Sequence, residues 1–417
     1  MLRKVELDTQ LDTQEWLSFA DEERKRAILD LAKELSGKKI VHVNATAVGG
    51  GVAEILKSLV PYLNSLGLEA QWHVIDPSAG EEFFAVTNKL HNALQGSEVE
   101  ISKDEWQRYE EVNRIIMGDL ESVKGDVLAI NDPQPLMAGS GINGGVGRVY
   151  FSHIDTSNSQ SAVWARVLSW IKSYRQVIFS NRDFVHSDIP PDMVRIFTPA
   201  IDPLVLKQKI VLRKEAREYL QENGGVPVDC PLVTQVSRFD VWKNPFGVLE
   251  AFKAVLEKYP DAHLALAGFK EAKDNPAAEK VYEEVAVAAS DIENVHLFYE
   301  PEGRNIAEFT MMLQNGADVV VQNSTKEGFG LVITEAMWKG QPIVGGPASG
   351  VREQVEDGVS GFITDNSREL ADRVLYLLGN PEEKEKMGKA AHDSVKEKYL
   401  LPRLVLDHLK LYKEVLG

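Results

Sequence analysis

The sequence predicts an α/β protein of two doubly wound, Rossmann-like domains that face each other across a deep cleft. Two observations lead to this fold class. Short apolar strands alternate with amphipathic helices of about 10 to 15 residues, which is the pattern of parallel sheets covered on both faces. The alternation occurs twice, on either side of a proline-containing segment at 197–203, and the 417-residue length suits two or three domains.

The first domain is predicted to span residues 1–198. Residues 1–37 form an N-terminal extension that ends in a helix at 21–35, and a C-terminal helix at 400–417 rejoins this domain. Apolar runs and helical periodicities alternate between these two ends. The predicted strands are 39–44, 69–75, 126–131, 148–151, 176–179 and 194–197, and the predicted helices are 52–65, 79–94, 103–122 and 159–174.

The second domain is predicted to span residues 199–399. Pro199 and Pro203 keep the chain extended at its start, as in a hinge. Residues 382–416 are expected to form two or three helices. The predicted strands are 232–237, 262–267, 294–298, 318–321, 342–344 and 361–363, separated by helices at 244–258, 277–289, 305–315, 330–339 and 367–379.

Composition excludes several classes of protein. The chain carries 63 acidic and 46 basic side chains, a net charge of −17, which argues against general binding to nucleic acid or to an anionic membrane. The single cysteine, Cys230, excludes an internal disulfide and a cysteine-rich metal site. Because neither a signal peptide nor an apolar run of about 18 residues is visible, we expect a cytoplasmic protein. The composition resembles that of thermophile proteins. Base rates for oligomers favour a homodimer.

A glycine-rich loop at 49–51 follows the first strand of the alternation and opens a helix. In doubly wound sheets, ligands bind beyond the carboxyl ends of the strands. Gly50 and Gly51 would let a phosphate or a sugar approach the helix N–H groups, although a plain tight turn has the same residues. The G-x-G-x-x-G dinucleotide fingerprint is missing.

Two cations follow the first strand of the second domain. Arg238 and Lys243 lie in one loop, where the guanidinium fork and the ammonium group could hold a diphosphate. The alternative is that both are solvated surface charges. Lys270, Asp274 and Asn275 follow the next strand and are further candidates.

Two glutamates bracket the start of a predicted helix. Glu327 precedes the helix, and Glu335 is expected about two turns inside it. The N–H groups of Gly328, Phe329, Gly330 and Leu331 are expected to point out of the helix start, where the helix dipole favours a diphosphate. A buried carboxylate needs a partner, and sugar hydroxyls could serve. The alternative is a helix-start charge and a salt-bridged Glu335.

Polar residues also follow two strands of the first domain. His153 and Asp155 could bind sugar hydroxyls or act as an acid–base pair, or could serve structural hydrogen bonding. Asp132 and Gln134, in a loop that Pro133 and Pro135 fix, suit a sugar acceptor or a turn. The histidines show no metal-ligand spacing, so no metal site is predicted.

These motifs resemble the retaining glycosyltransferases of family 4, which have the GT-B fold. The run from Ser324 reads S-x-x-E-G-F-G followed by E-A-M, with the E-x7-E spacing of that family. The runs Asn131-Asp-Pro-Gln-Pro, His153-Ile-Asp and Pro199-Ala-Ile-Asp-Pro are similar to a narrower group, the trehalose synthases and trehalose phosphorylases. The resemblance covers roughly residues 38–400, with one departure at Asn131, where many relatives have His.

The resemblance implies an activity and roles for individual residues. Glucose would pass from a nucleoside diphosphate glucose (UDP-, ADP- or GDP-glucose) to the anomeric hydroxyl of free glucose, with retention, giving α,α-trehalose. No cofactor is required, although Mg²⁺ could stimulate. Arg238 and Lys243 would bind the diphosphate, and Glu335 would bind the donor ribose. Glu327 and His153 would contact the transferred glucose, with Asp155 near the reacting centre. Residues 328–331, Gly50 and Gly51 would bind the donor, and Asp132 and Gln134 would bind the acceptor.

Four alternatives remain open at this point. Phosphate could replace the nucleotide, as in a trehalose phosphorylase, or another family 4 enzyme could use a different acceptor. An NAD-dependent oxidoreductase shares the fold elements but should carry G-x-G-x-x-G. A two-lobed sugar-binding protein would not need Arg238 or Lys243, and fold alone does not choose among these functions.

Overall fold

The computed structural model describes residues 1–7, 11–48, 50–142, 144–269, 276–292, 294–300 and 303–417. The described chain divides into two compact units, Met1–Pro199 with Leu401–Gly417, and Ala200–Leu400. These boundaries fall one residue beyond those expected from the sequence, at 199 rather than 198 and at 401 rather than 400. None of the described helices is long and apolar enough to cross a bilayer.

The first unit is built on a seven-stranded sheet. Its strands are β1 (Leu2–Lys4), β2 (Lys39–Asn44), β3 (Glu69–Ile75), β4 (Val127–Asn131), β5 (Gly147–Ser152), β6 (Gln176–Phe179) and β7 (Val194–Ile196). Their order across the sheet is β1-β3-β2-β4-β5-β6-β7. All neighbours pair in parallel except β1, which runs antiparallel to β3 with Leu2 opposite Ile75.

The N-terminal extension therefore differs from its sequence prediction. It contributes an edge strand and a short helix besides the expected one, and three residues of strand are too few to show a periodicity. The helices of this part are α1 (Thr13–Leu17), α2 (Glu22–Glu34), α3 (Gly51–Ser65), α4 (Glu81–Leu94), α5 (Lys103–Val123), α6 (Leu136–Ser140) and α7 (Ser161–Ile171).

Local sequence explains where these helices begin. Ser102 and Glu105 form a reciprocal capping box at the start of α5. The start of α3 is different, because its N-cap is Gly50, which has no side chain to bond the first N–H groups. The N-terminus of α3 is thus left uncapped by side chains at the end of β2.

The second unit is built on a six-stranded, wholly parallel sheet. Its strands are β8 (Leu232–Val236), β9 (His263–Ala267), β10 (Val295–Phe298), β11 (Val319–Gln322), β12 (Ile343–Gly345) and β13 (Gly361–Ile363). Their order is β10-β9-β8-β11-β12-β13. Its helices are α8 (Arg213–Gly224), α9 (Pro245–Lys258), α10 (Pro276–Ala289), α11 (Ile306–Gly316), α12 (Leu331–Trp338), α13 (Ser349–Arg352), α14 (Ser367–Gly379) and α15 (Pro381–Lys398).

Helix α8 was not predicted. Its sequence is strongly polar, and only Ala216, Arg217 and Leu220 are buried on its inner face. A face this narrow gives almost no helical periodicity. Tertiary packing against α11, not the local pattern, accounts for the helix.

The last helix, α16 (Leu401–Leu416), returns to the first unit. It packs against α2 and contacts β5, and its apolar face is buried from Leu401 to Val415. Arg403 donates to the carbonyl oxygen of Thr198, and Arg175 donates to the carbonyl of Val415 at 3.1 Å. The chain thus finishes where it began, within the first compact unit.

Strand order places one switch point in each sheet. Order reverses between β2 and β4 in the first sheet, and between β8 and β11 in the second. Ligands of doubly wound proteins bind beyond the carboxyl ends of the strands at such points. The loops after β2 and β4, and those after β8 and β11, are therefore the places to look for a site.

Candidate active site

The switch point of the second unit brings two predicted catalytic residues together. Lys243 follows β8 and Glu327 follows β11, and the Lys243 ammonium donates directly to the Glu327 carboxylate. Their side chains are only 14% and 11% exposed. Ser324 Oγ donates to the same carboxylate oxygen at 3.3 Å. A charge pair that is this poorly solvated interacts more strongly than one in bulk water.

The two loops at this switch point are tied to each other by hydrogen bonds. Gln235, buried in β8, accepts from the Asn323 N–H at 2.9 Å and donates to the Lys243 carbonyl at 3.0 Å. The Thr325 N–H donates to the Trp242 carbonyl at 2.8 Å. These contacts fix the backbone on both sides, so that Lys243 and Glu327 are held in place before any ligand arrives.

The segment between Glu327 and α12 approaches another backbone closely. The Gly350 N–H donates to the Glu327 carbonyl at 3.2 Å, and a Cβ on Gly350 would lie 2.8 Å from that oxygen. Gln354 donates to the Phe329 carbonyl. Phe329 is buried and packs edge-on against Tyr399, with ring centroids 5.6 Å apart. Only glycine fits at position 350, so this part of the loop has little freedom.

Helix α12 begins later than its sequence suggested. Gly330, at φ 83°, is the N-cap, and Leu331 is the first helical residue. Gly328 and Phe329 therefore lie in the loop, so that their N–H groups do not belong to the helix start. Glu335 is one turn inside the helix rather than two. Its side chain is 1% exposed, and Lys207 Nζ lies 2.8 Å from its Oε1.

Arg238 is placed differently from Lys243. Its side chain is exposed, and within the described residues it forms no ion pair. The rest of its loop is shaped by short-range bonds, since Asp240 accepts from the Trp242 N–H at 2.9 Å and Asn244, at φ 48°, accepts from Gly247 at 3.2 Å. The structure thus brings Lys243 to Glu327 and leaves Arg238 facing solvent.

The switch point of the first unit gathers a second set of predicted residues. Asp132, after β4, has a left-handed backbone (φ 62°), and its carboxylate accepts from the His153 N–H at 3.0 Å. His153 Nε2 lies 3.0 Å from Asn131 Oδ1. Burial lowers the pKa of His153, so its ring is neutral at physiological pH, although nearby Asp132 opposes the shift. A left-handed backbone is uncommon for Asp and marks the loop after β4 as constrained.

The remaining predicted residues of the first unit lie in the loops after β4 and β5 and at the start of α3. Asp155 Oδ1 accepts from Ser157 N at 2.9 Å and from Ser157 Oγ at 2.6 Å, which closes a turn. Gln134 Oε1 is buried and has no hydrogen-bond partner among the described residues. Gly50, at φ 78°, and Gly51 are exposed at the start of α3. Gly49 lies outside the described residues, as do 270–275, which include the candidates Lys270, Asp274 and Asn275.

No metal centre is visible in the part of the chain that the structure describes. No group of three or more His, Cys, Asp or Glu side chains there has an arrangement that could hold a metal ion. The sole cysteine, Cys230, is buried in the second unit, where its thiol donates to the Pro227 carbonyl at 3.1 Å.

Comparison with known proteins identifies the family. Residues 42–186 match the family described as trehalose synthase, N-terminal domain, and residues 216–394 match glycosyl transferases group 1. The trehalose synthase of Pyrococcus horikoshii is 35% identical over 405 residues, which are 97% of this chain and 95% of the relative. The chain belongs to the trehalose synthase family of glycosyltransferases.

Two further similarities place the family in a wider setting. The trehalose phosphorylase of Grifola frondosa is 24% identical over 89% of this chain and 56% of its own length. The sucrose-phosphate synthase of Thermosynechococcus elongatus superposes with a TM-score of 0.71, covering 90% of this chain and 98% of that chain, at 17% identity. The predicted fold class, two doubly wound α/β domains of the GT-B type, is confirmed.

Several residues that shape this candidate site were not predicted from the sequence. Gln235 is a polar residue inside an apolar strand, and that contrast is a signal in the sequence. Gly350 lies in a glycine-rich run after β12, which also marks a close backbone approach. Lys207 had no such signal, because only the tertiary fold brings it to Glu335.

Proposed function

We propose that the protein is a retaining glucosyltransferase that moves glucose from a nucleoside diphosphate glucose to the anomeric hydroxyl of free glucose. The products are α,α-trehalose and the nucleoside diphosphate. The observation that carries the proposal is the Lys243–Glu327 pair at the switch point of the second unit, in a chain that belongs to the trehalose synthase family.

The chemistry requires stabilisation of a departing diphosphate. The bond between the glucose anomeric carbon and the phosphate oxygen breaks, and the acceptor oxygen bonds to the same face of that carbon. The acceptor proton passes to the leaving phosphate, so that no protein nucleophile is needed. Lys243, with Arg238 from the same loop, would neutralise the charge that develops on the diphosphate.

The donor sugar and ribose would be held by the two glutamates. Once a diphosphate draws the Lys243 ammonium toward it, the Glu327 carboxylate is free to accept from hydroxyls of the transferred glucose. Glu335 would accept from the donor ribose. The loop and helix start at 328–331, with Gly50 and Gly51, would offer backbone N–H groups to the donor.

The first unit would supply the groups that meet the sugars. The neutral His153 ring would contact the transferred glucose, and Asp155 would lie near the reacting centre. Asp132 and Gln134 would bind the acceptor, and the buried unpaired Oε1 of Gln134 is suited to a sugar hydroxyl. The proposal includes no resident metal; Mg²⁺ would act only by accompanying the nucleotide. We also propose that the protein is cytoplasmic and forms a homodimer.

The direct test combines purified protein with UDP-glucose, ADP-glucose or GDP-glucose and free glucose. We expect a non-reducing disaccharide and an equal amount of released nucleoside diphosphate, and neither with Glu327→Ala. Failure with all three donors over a wide range of acceptors would overturn the proposal. Turnover by Glu327→Ala equal to the wild type would instead reject the site.

The second candidate is phosphorolysis of trehalose, which the similarity to the Grifola frondosa phosphorylase favours. Trehalose with inorganic phosphate would then yield glucose 1-phosphate and glucose. Glu335 separates the two, because a ribose ligand matters for a nucleotide donor and not for phosphate. Glu335→Gln should therefore impair transfer from a nucleotide sugar and leave phosphorolysis largely unchanged.

A further inference from the structure

The Glu335 carboxylate is buried with a partner for only one of its two oxygens among the described residues. The carboxylate is 1% exposed, and one oxygen, Oε1, is 2.8 Å from Lys207 Nζ. The other oxygen, Oε2, is buried without a hydrogen-bond partner among the described residues. Since an unsatisfied buried carboxylate oxygen is costly, this oxygen calls for a ligand that supplies a hydrogen-bond donor.

Lys207 reaches Glu335 from a separate segment. It lies in a short 3₁₀ turn, Leu206–Gln208, near the start of the second unit. Trp338 Nε1 donates to the Gln208 carbonyl at 3.1 Å, and Lys339 Nζ donates to the Gln208 side-chain oxygen at 3.2 Å. The end of the helix that carries Glu335 therefore also holds the turn that carries Lys207.

A second lysine is close but has another task. Lys339 Nζ donates to the backbone carbonyl of Glu335 at 3.1 Å as well as to Gln208, so that its bonds go to the scaffold and not to the carboxylate. Burial lowers the pKa of Lys339 to about 7, so its charge is incomplete at neutral pH. The carboxylate therefore depends on Lys207 for its counter-charge.

We propose that Lys207 is a positioning residue for the nucleotide donor. It holds Glu335 by one oxygen, supplies a counter-charge to the carboxylate in a dry environment, and leaves the other oxygen turned to a ribose hydroxyl. This inference rests on the proposed function, because the hydroxyl belongs to the nucleoside diphosphate. Lys207 itself touches no reacting atom.

Calorimetric titration with two kinds of nucleotide tests this role. UDP, ADP and GDP are compared with their 2′,3′-dideoxy forms, which lack the ribose hydroxyls, on the wild type, Lys207→Met, Lys207→Arg and Glu335→Gln. We expect Lys207→Met to weaken binding of the hydroxylated nucleotide by about 10- to 100-fold, the range for a hydrogen bond to a charged group. Binding of the dideoxy nucleotide should change little, and Lys207→Arg should restore part of the loss.

The matched control is Lys214→Met, which removes an 82% exposed lysine of α8 whose ammonium lies 3.7 Å from Glu218. It should leave both affinities unchanged. Equal weakening of both nucleotide kinds by Lys207→Met would show a purely structural role and overturn the inference, as would unchanged binding of the hydroxylated nucleotides. If the wild type binds none of the three nucleotides, the proposed donor falls and the inference falls with it; the wild-type titration alone separates that case.

Discussion

The two units bury different kinds of polar side chain. In the first unit two fully buried histidines are uncharged: burial holds the pKa of His42 at about 3 and that of His408 at about 4, and His42 bonds the Tyr412 hydroxyl at 2.8 Å. In the second unit the poorly exposed polar groups at both ends of β11 are ionic. Glu327, in the loop after this strand, pairs with Lys243, and Asp318, just before it, is bound by Arg213 and Arg217, both at 2.6 Å.

Under the proposed function, this difference assigns different ligands to two similar architectures. A neutral, hydrogen-bonding environment suits sugar hydroxyls, whereas paired charges that a ligand can rearrange suit a diphosphate. Both sheets are doubly wound, so that the distinction lies in the side chains at the strand ends and not in the fold. Substitutions of the paired charges in the second unit and of the neutral histidine His408 in the first unit test this contrast.

The largest effect on stability is expected from Asp318→Ala in the second unit. The substitution leaves Arg217, which is 2% exposed, without its carboxylate, and it also removes the partner of Arg213 and of Lys384 at 3.4 Å. Breaking a buried ion pair from one side costs about 3–5 kcal/mol. Urea unfolding followed by circular dichroism measures this loss.

Glu218→Ala is the matched control, because it breaks a pair in which both side chains are more than half exposed. Its effect should stay below about 0.5 kcal/mol. A loss of the same small size for Asp318→Ala would mean that the charged interior of the second unit does not stabilise it.

The next largest effect is on activity. Lys243→Ala should reduce kcat/KM for glucosyl transfer by about 10²–10³-fold, the range for removal of one preorganised electrostatic group. Coupled detection of released nucleoside diphosphate measures the rate, and circular dichroism checks the fold. Lys253→Ala, in an exposed position of α9, should match the wild type. Full activity of Lys243→Ala would show that the Lys243–Glu327 ion pair does not contribute to catalysis.

Sequence alone predicted most of this comparison, but not all of it. Alternating strands and helices predicted both sheets, and position after a strand marked the loops of Lys243 and Glu327 as candidates for the site. The strand order that joins these two loops at one switch point came from the structure. The pairing of Lys207 with Glu335 could not be predicted from the sequence. The two residues are 128 positions apart, and they meet because α12 holds the turn that carries Lys207. The neutral interior of the first unit could not be predicted either, since α16 brings His408 to it from the other end of the chain.

The neutral interior of the first unit makes it sensitive to acid. Folded His408 stays uncharged down to a pKa of about 4, whereas the unfolded side chain takes up a proton below about pH 6.5. The unfolded state then binds more protons, so stability is lost as pH falls through that window, by about 1.4 kcal/mol per pH unit for one group.

His408→Asn should therefore flatten the decline between pH 6.5 and pH 5 by about 1.5 kcal/mol, while an amide donor remains near the Leu404 carbonyl that His408 Nδ1 bonds at 2.9 Å. Urea midpoints of both proteins at the two pH values provide the measurement. Parallel declines for the wild type and the variant would show that His408 takes up its proton in the folded state as readily as in the unfolded one.

The smallest expected effect comes from Lys339 in the second unit, and it falls in a different pH range. Burial lowers its folded pKa to about 7, while the unfolded side chain keeps a pKa of about 10.4. Between these values the unfolded state binds more protons, so the contribution of Lys339 to stability rises as pH rises from 7. The neighbouring Glu335 carboxylate opposes the shift, and we expect about 1 kcal/mol between pH 7 and pH 9.

Lys339→Met removes the titrating group, so the difference in urea midpoint between the wild type and this variant should grow in favour of the wild type from pH 7 to pH 9. Lys214→Met, at an 82% exposed position, should show no such change. A constant difference for Lys339→Met would mean that Lys339 keeps its full charge when folded. Glu335 would then have two permanent counter-charges in place of one, and its dependence on Lys207 would lose its physical basis.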